Sequence, residues 1–227
     1  MKTFLIQTID REIRHDFSFT LLEAIRYQNW RGNDMRYILS NCVINNENLI
    51  PVGSVEFVCE YLKSVYNKEP KPKNVPEELF KWSNRKIFNG TEKDLTKRLF
   101  VKSNDKIKEF ADIIEPNFKL KKGNYQFSEV INIESEWRCF VYKNELIGLQ
   151  NYSGDFLKFP DVNKIKNIIK DYESCPIAYT LDIGLENSSL FVIEVHDFFS
   201  CGFYGFADLN KIPYMFSRWF NEYLQTI

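Results

Sequence analysis

Residues 125–152 read YQFSEVINIESEWRCFVYKNELIGLQNY. Two runs within it, 125–133 and 136–152, are rich in β-branched and aromatic residues, the composition of strands on a pleated surface. Lys143-Asn144 interrupts the second run where a hairpin turn belongs. Strand alternation sets Glu136, Arg138 and Phe140 on one side and Trp137, Cys139 and Val141 on the other. Toward the C-terminus, AYTLDIGL (178–185) and SLFVIEVHDF (189–198) carry the same strand signal. Between the two pairs, VNKIKNIIKDYES (162–174) spaces Val162, Ile165, Ile168, Ile169 and Tyr172 along one helical face. A last helix is expected from about Pro213 to Leu224. Hairpins with segregated helices indicate an α+β fold.

Upstream, the pattern is different. A strand over 3–7, a helix over 17–29, a strand over 35–39 and a helix over 55–66 capped by Ser54 alternate, which favours a small α/β lobe. NKEPKPKNVP (67–76) then packs three prolines and three lysines into a linker-like stretch and marks the lobe boundary. EELFKW (77–82) reads as one helical turn, KRLFVK (97–102) as a strand and DKIKEFADII (105–114) as a short helix.

The chain has 227 residues, 44% hydrophobic and 27% charged, which is globular composition and excludes disordered or collagen-like classes. Net charge is −1, so no overall basic field points to nucleic acid or anionic lipid. Residues 63–122 nevertheless hold 16 basic and 9 acidic groups, whereas 123–227 hold 8 basic and 14 acidic. That asymmetry suits lysines holding phosphates beside carboxylates holding a metal; it equally suits two solvated faces. The interleaved Glu and Lys of the basic stretch argue against a nucleic-acid track. Five cysteines without C-x-x-C spacing read as reduced thiols of a cytoplasmic protein. Two histidines exclude a His-rich metal site. The sequence shows neither a secretory apolar core at its N-terminus nor an apolar run of membrane-spanning length.

Four places can carry chemistry. Lys102 closes an apolar strand and faces either solvent or an anionic ligand such as phosphate. Glu136 and Arg138 form a structural ion pair or point into a cleft, where Arg binds phosphate or carboxylate. Asp182 and Glu194 sit inside apolar strands; side by side they repel unless solvated or bridged by a divalent cation. His196 shares a face with Glu194. Gly202 and Gly205 form either a plain turn or a loop that lets backbone approach a ligand.

The order of these motifs resembles the ATP-grasp superfamily of ATP-dependent carboxylate–amine ligases. It is most similar to a phage and bacterial clade marked by an arginine and two lysines. The segments are IPVGSVEFV (50–58), the NVPEELF run ending at Arg85, FVKSNDKIKEF (100–110), SE…EWRCFV (128–141) and IEVHDFFSCGFYGF (193–206). The resemblance implies a pre-grasp lobe over 1–68 and an ATP-grasp domain over 69–227, with a smaller lobe about 77–128 and a larger lobe about 129–227. It implies that Lys102, Arg85 and Lys108 contact nucleotide phosphates or other anions. Glu129 and Val130 would meet adenine at the hinge, with Glu136 and Arg138 in the cleft and Arg138 toward the transferred phosphoryl group. Asp182, Glu194 and His196 would hold Mg²⁺; the family's usual residue at the last position is Asn. The expected activity is ATP- and Mg-dependent ligation of a carboxylate to an amine through an acyl phosphate, the carboxylate and amine being borne by a small molecule, a peptide or a protein terminus. A non-catalytic nucleotide- or partner-binding protein on the same scaffold is the alternative. A nucleotidyl-lysine enzyme would need K-x-D-G, and Lys102 is followed by Ser103-Asn104-Asp105-Lys106 instead.

Overall fold

The computed structural model describes residues 3–107 and 109–226. The chain begins with β1 (Thr3–Gln7), α1 (Asp16–Trp30), β2 (Tyr37–Ser40), β3 (Leu49–Val52) and α2 (Val55–Tyr66). The strands form a parallel sheet in the order β2-β1-β3. Ser54 caps α2 as expected, its side chain accepting from Phe57 N at 3.2 Å, and Asn67 closes the helix in the left-handed region at φ 52°. Gly53 is required by close approach: a Cβ there would lie 2.5 Å from Gln7 Cβ.

The linker then crosses to a second sheet. A 3₁₀ turn (Glu77–Trp82) leads to β4 (Ile87–Thr91), β5 (Leu99–Ser103), β6 (Ala111–Ile114) and β7 (Asn124–Ser128), antiparallel in the order β4-β7-β5-β6. Leu99, Val101, Ile114, Tyr125 and Phe127 make its core. Residues 105–107 and 109–114 do not form the helix that the spacing over 105–114 suggests. Asp105 instead accepts hydrogen bonds from Asn124 N and Nδ2 at 2.8 and 2.9 Å, and Ala111–Ile114 pairs with β5 as an edge strand. Cross-strand pairing outweighs a short apolar periodicity. The strand expected over 125–133 also stops at Ser128, and an irregular connection runs to the third sheet.

That sheet holds β8 (Ser135–Tyr142), β9 (Glu145–Gly154), β10 (Ala178–Glu186) and β11 (Ser189–Asp197), with α3 (Val162–Asp171) between β9 and β10. Its order is β11-β10-β8-β9, all antiparallel. Lys143 and Asn144, at φ 53° and 61°, form the two-residue hairpin turn between β8 and β9. One face packs Trp137, Cys139, Val141, Leu181, Ile183 and Val192 against Ile165, Ile168 and Ile169 of α3. The opposite face carries Glu136, Arg138, Asp182 and Glu194 toward a cleft. A bulge after Asp182 pairs Ile183 with Val192 and skips Ile193. Val192 therefore stays in the core while Ile193 and Glu194 both line the cleft.

The chain ends in α4 (Ile212–Gln225). Phe198, Phe203, Phe206, Phe216, Trp219 and Phe220 join Leu21, Ile25, Val58 and Tyr61 in one core. The C-terminal segment thus completes the apolar interior of the N-terminal lobe. Among the described residues, no helix is long and apolar enough to cross a membrane.

Candidate functional site

A cleft of about 660 Å³ lies between the two antiparallel sheets, within the size range of ligand pockets. Its walls are residues of β5, the turn after it, the connection from Ser128 to Ile133, the polar face of β8, β10 and β11, and the loop after β11.

Strand alternation in β5 sends Leu99 and Val101 inward and Phe100 and Lys102 into the cleft. The Lys102 ammonium forms an ion pair with Glu194 Oε2. The other oxygen, Oε1, lies 2.6 Å from His196 Nε2. Burial pushes the Glu194 carboxyl up, but His196 and Lys102 outweigh it and hold the group well below the usual carboxylate range.

On β10, Asp182 stands opposite Glu194 of β11 and opposite Arg138 of β8. Arg138 grips it bidentately, Nε to Oδ1 at 2.8 Å and Nη2 to Oδ2 at 2.7 Å, and donates from Nη1 to Gly202 O at 3.0 Å. The stacked rings of Tyr152 and Tyr204 flank its guanidinium at 5.6 and 5.2 Å. Burial pulls the Arg138 pKa down, but the hydrogen bonds and charge of Asp182 outweigh it and raise it above the ordinary value. Glu136, the other cleft-facing residue of this strand, accepts from Tyr152 OH at 2.9 Å.

Arg85 follows the 3₁₀ turn and reaches β11, donating to Ser83 O at 3.0 Å and Val192 O at 2.9 Å. Burial pushes its pKa down to about 10. Among the described residues no carboxylate forms an ion pair with it; backbone carbonyls and the Phe191 ring, 5.7 Å away, are its partners at the cleft wall. Glu129 is at the connection: its N donates to Lys86 O, and its carboxylate accepts from Lys86 N and Lys97 Nζ, each at 3.1 Å. Val130 follows it along the cleft. Lys108 lies outside the described residues.

Lys102, Arg85, Glu129, Val130, Glu136, Arg138, Asp182, Glu194 and His196 thus all line one cavity. One ligand atom each from Asp182, Glu194 and His196 lies within 4.8 Å of the others, a donor set that fits a divalent cation.

Several cleft residues were not singled out by sequence. Asn74, in the left-handed region at φ 46°, donates from Nδ2 to Ser103 O at 3.0 Å and to Asn104 Oδ1 at 2.7 Å. Its carbonyl accepts from Val195 N at 2.7 Å, so one linker residue touches both antiparallel sheets. The adjacent Val75 exchanges two hydrogen bonds with the Gln126 amide. An Asn between Lys73 and Val-Pro was the available signal. Tyr152 and Tyr204 looked like ordinary strand and loop aromatics.

No curated protein matches the chain. Among solved structures, a D-alanine–D-alanine ligase from Bacillus anthracis complexed with ATP superposes with a TM-score of 0.58 at 12% identity, covering 98% of this chain and 97% of that one. A RimK-domain ATP-grasp protein from Sphaerobacter thermophilus gives 0.54 at 9% identity, covering 99% and 100%. The N5-carboxyaminoimidazole ribonucleotide synthetase from Thermotoga maritima gives 0.53 at 13%, covering 96% and 76%. At these identities the likeness is one of fold. The family match is with the ATP-grasp domain, R2K clade family 2, over residues 82–212, a span that contains every cleft residue named above except those of the linker. The chain belongs to that ATP-grasp family.

Proposed function

We propose that this chain is an ATP-dependent ligase that joins a carboxylate to an amine. The observation that carries the reading is the convergence of Lys102, Arg85 and Arg138 with Asp182 and Glu194 in one cleft between two antiparallel sheets. A carboxylate is a poor electrophile. Passing the γ-phosphoryl group of ATP to its oxygen gives an acyl phosphate, and attack by an amine then forms the amide and expels phosphate. Such transfer rests on positioning and charge neutralisation.

Lys102 and Arg85 supply the positive charge for the phosphates. Glu129 and Val130 frame the adenine end, and Glu136 accepts from the nucleotide beside Tyr152. Arg138 has five N–H groups, three of them used by Asp182 and Gly202. The other two serve the transferred group or the oxyanion of the amide-forming step. Its clamp fixes the guanidinium plane in advance, so little reorganisation accompanies charge development. Asp182, Glu194 and His196 would hold a divalent cation, which when bound neutralises phosphate charge.

The test is a thermal melt with AMP-PCP, a methylene analogue of ATP, with divalent cation and with chelator, followed by ADP and phosphate release with panels of carboxylates and amines. At 100 times the dissociation constant, binding adds about 2.7 kcal/mol. For a chain of this size that raises Tm by roughly 5–11 °C. No shift at millimolar analogue would overturn the reading. A shift without turnover on any pair would favour a binding protein on the same scaffold.

A further inference from the structure

Paired residues of β10 and β11 make a two-by-two grid, three corners of which line the cleft. Thr180 stands across from His196, and Asp182 across from Glu194. Three corners offer metal-ligating atoms within 4.8 Å of one another. Metal–oxygen bonds of about 2.1 Å set two ligands of one ion no more than about 4.2 Å apart, so the donors need close by only about half an ångström. The fourth corner is Thr180, fully buried, with an Oγ1 that has no hydrogen-bond partner among the described residues.

The donor atoms already have partners in the fold. Lys102 takes Oε2 of Glu194, whereas Oε1 faces the His196 ring 2.6 Å away. Oε1 and Nε2 share a hydrogen bond; bound side by side to one ion at about 2.1 Å they would stand about 3 Å apart, so ligation parts them by about 0.4 Å and displaces the shared proton. Arg138 uses one lone pair of each Asp182 oxygen and leaves the other. The set is therefore two carboxylates and one imidazole. Mg²⁺ takes oxygen ligands and dehydrates reluctantly, whereas imidazole suits first-row transition cations.

We propose that His196 ligates the divalent cation directly through Nε2, and that this nitrogen makes the site prefer Mn²⁺ over Mg²⁺. The inference rests on the nucleotide-cleft reading above, but a separate result can overturn it. The chain has two histidines, so labelling histidine with ¹⁵N gives an almost unique reporter. The experiment is pulsed EPR of Mn²⁺ bound to the full chain with AMP-PCP, whose bridging group contains no nitrogen. Electron-spin-echo modulation from ¹⁴N is expected in unlabelled protein and should change to the ¹⁵N pattern when only histidine is labelled. It should vanish in His196→Asn. Displacement of Mn²⁺ by Mg²⁺, followed by the EPR signal, should need about tenfold less Mg²⁺ in His196→Asn than in wild type. Bound Mn²⁺ without histidine nitrogen coupling overturns the inference and leaves the nucleotide site standing. Equal Mg²⁺ competition in the two proteins overturns the selectivity. Absence of bound Mn²⁺ with analogue overturns both readings.

Discussion

Lys102 of β5 and Glu194 of β11 form an ion pair that joins the two antiparallel sheets across the cleft. Neither side chain is more than one-fifth exposed, so water does little to compensate either charge alone. Removing one partner of such a pair leaves the other stranded, at about 3 kcal/mol. Lys102→Met should therefore lower Tm by roughly 6–12 °C. The double variant Lys102→Met/Glu194→Gln should recover most of that loss, because no charge is left unpaired. It should not recover AMP-PCP binding. A melt series with and without the analogue separates the two effects. Nucleotide affinity unchanged in Lys102→Met would remove this residue from the phosphate site.

Arg138 and Asp182 are more deeply buried, at 7% and 1% exposure, and are joined by two hydrogen bonds. Arg138→Met should cost more than Lys102→Met, toward about 5 kcal/mol, since Asp182 would keep its charge with no guanidinium beside it. Asp182→Asn retains an oxygen acceptor but leaves Arg138 without its counter-charge, so it too should destabilise. Urea titration would show both variants with a lower midpoint and an unchanged slope. If Arg138→Met proved the milder of the two methionine variants, the pair would contribute less than its burial indicates.

Asn74 ties the linker to both sheets, through its side chain to Ser103 and Asn104 and through its carbonyl to Val195. Asn74→Ala removes two side-chain hydrogen bonds, at about 1 kcal/mol each. It also places Ala in the left-handed region, which disfavours a Cβ-bearing residue unable to bond locally. A loss of about 2–3 kcal/mol is expected. Amide exchange should quicken at Val195 and at Val75, whose hydrogen bonds depend on the linker's position. Unchanged exchange at Val195 would show that the strand edge does not need the linker.

Most of the β8–β11 sheet was legible in the sequence because its strands are eight to ten residues long and rich in β-branched and aromatic residues. Lys143-Asn144 could be read as a turn because both residues tolerate a positive φ at a hairpin tip. The β6 edge strand could not. Its four residues hold no alternation of their own, and its pairing with β5 is decided by contacts from Asp105 to Asn124 that lie far along the chain. Period-two spacing put Glu194 and His196 on one face; that Asp182 lies beside them depends on the pairing of β10 with β11. The Arg138–Asp182 pairing was not legible either, since it depends on which strand lies beside β10. Nor did the C-terminal aromatic segment announce that it completes the first lobe; apolar composition shows burial but not the partner.

The cysteines give a pH-dependent readout of the fold. Burial, with Glu69 and Glu56 nearby, pushes the Cys59 thiol up to about 11. Burial pushes Cys201 up to about 12 despite Arg138, and raises Cys139 and Cys175 as well. Between the ordinary thiol value of 9.0 and about 11, the unfolded chain releases the Cys59 proton while the folded chain keeps it. Stability should therefore fall as pH rises through that window. The reactive form is the thiolate, so these four thiols should alkylate slowly in the native protein. Cys42 is exposed. Iodoacetamide at pH 8 should label one thiol quickly in native protein and all five in denaturant. Peptide mapping should place the fast label on Cys42. Equally fast labelling of Cys59 would show that α2 opens to reagent, because burial is the largest cause holding that proton in place.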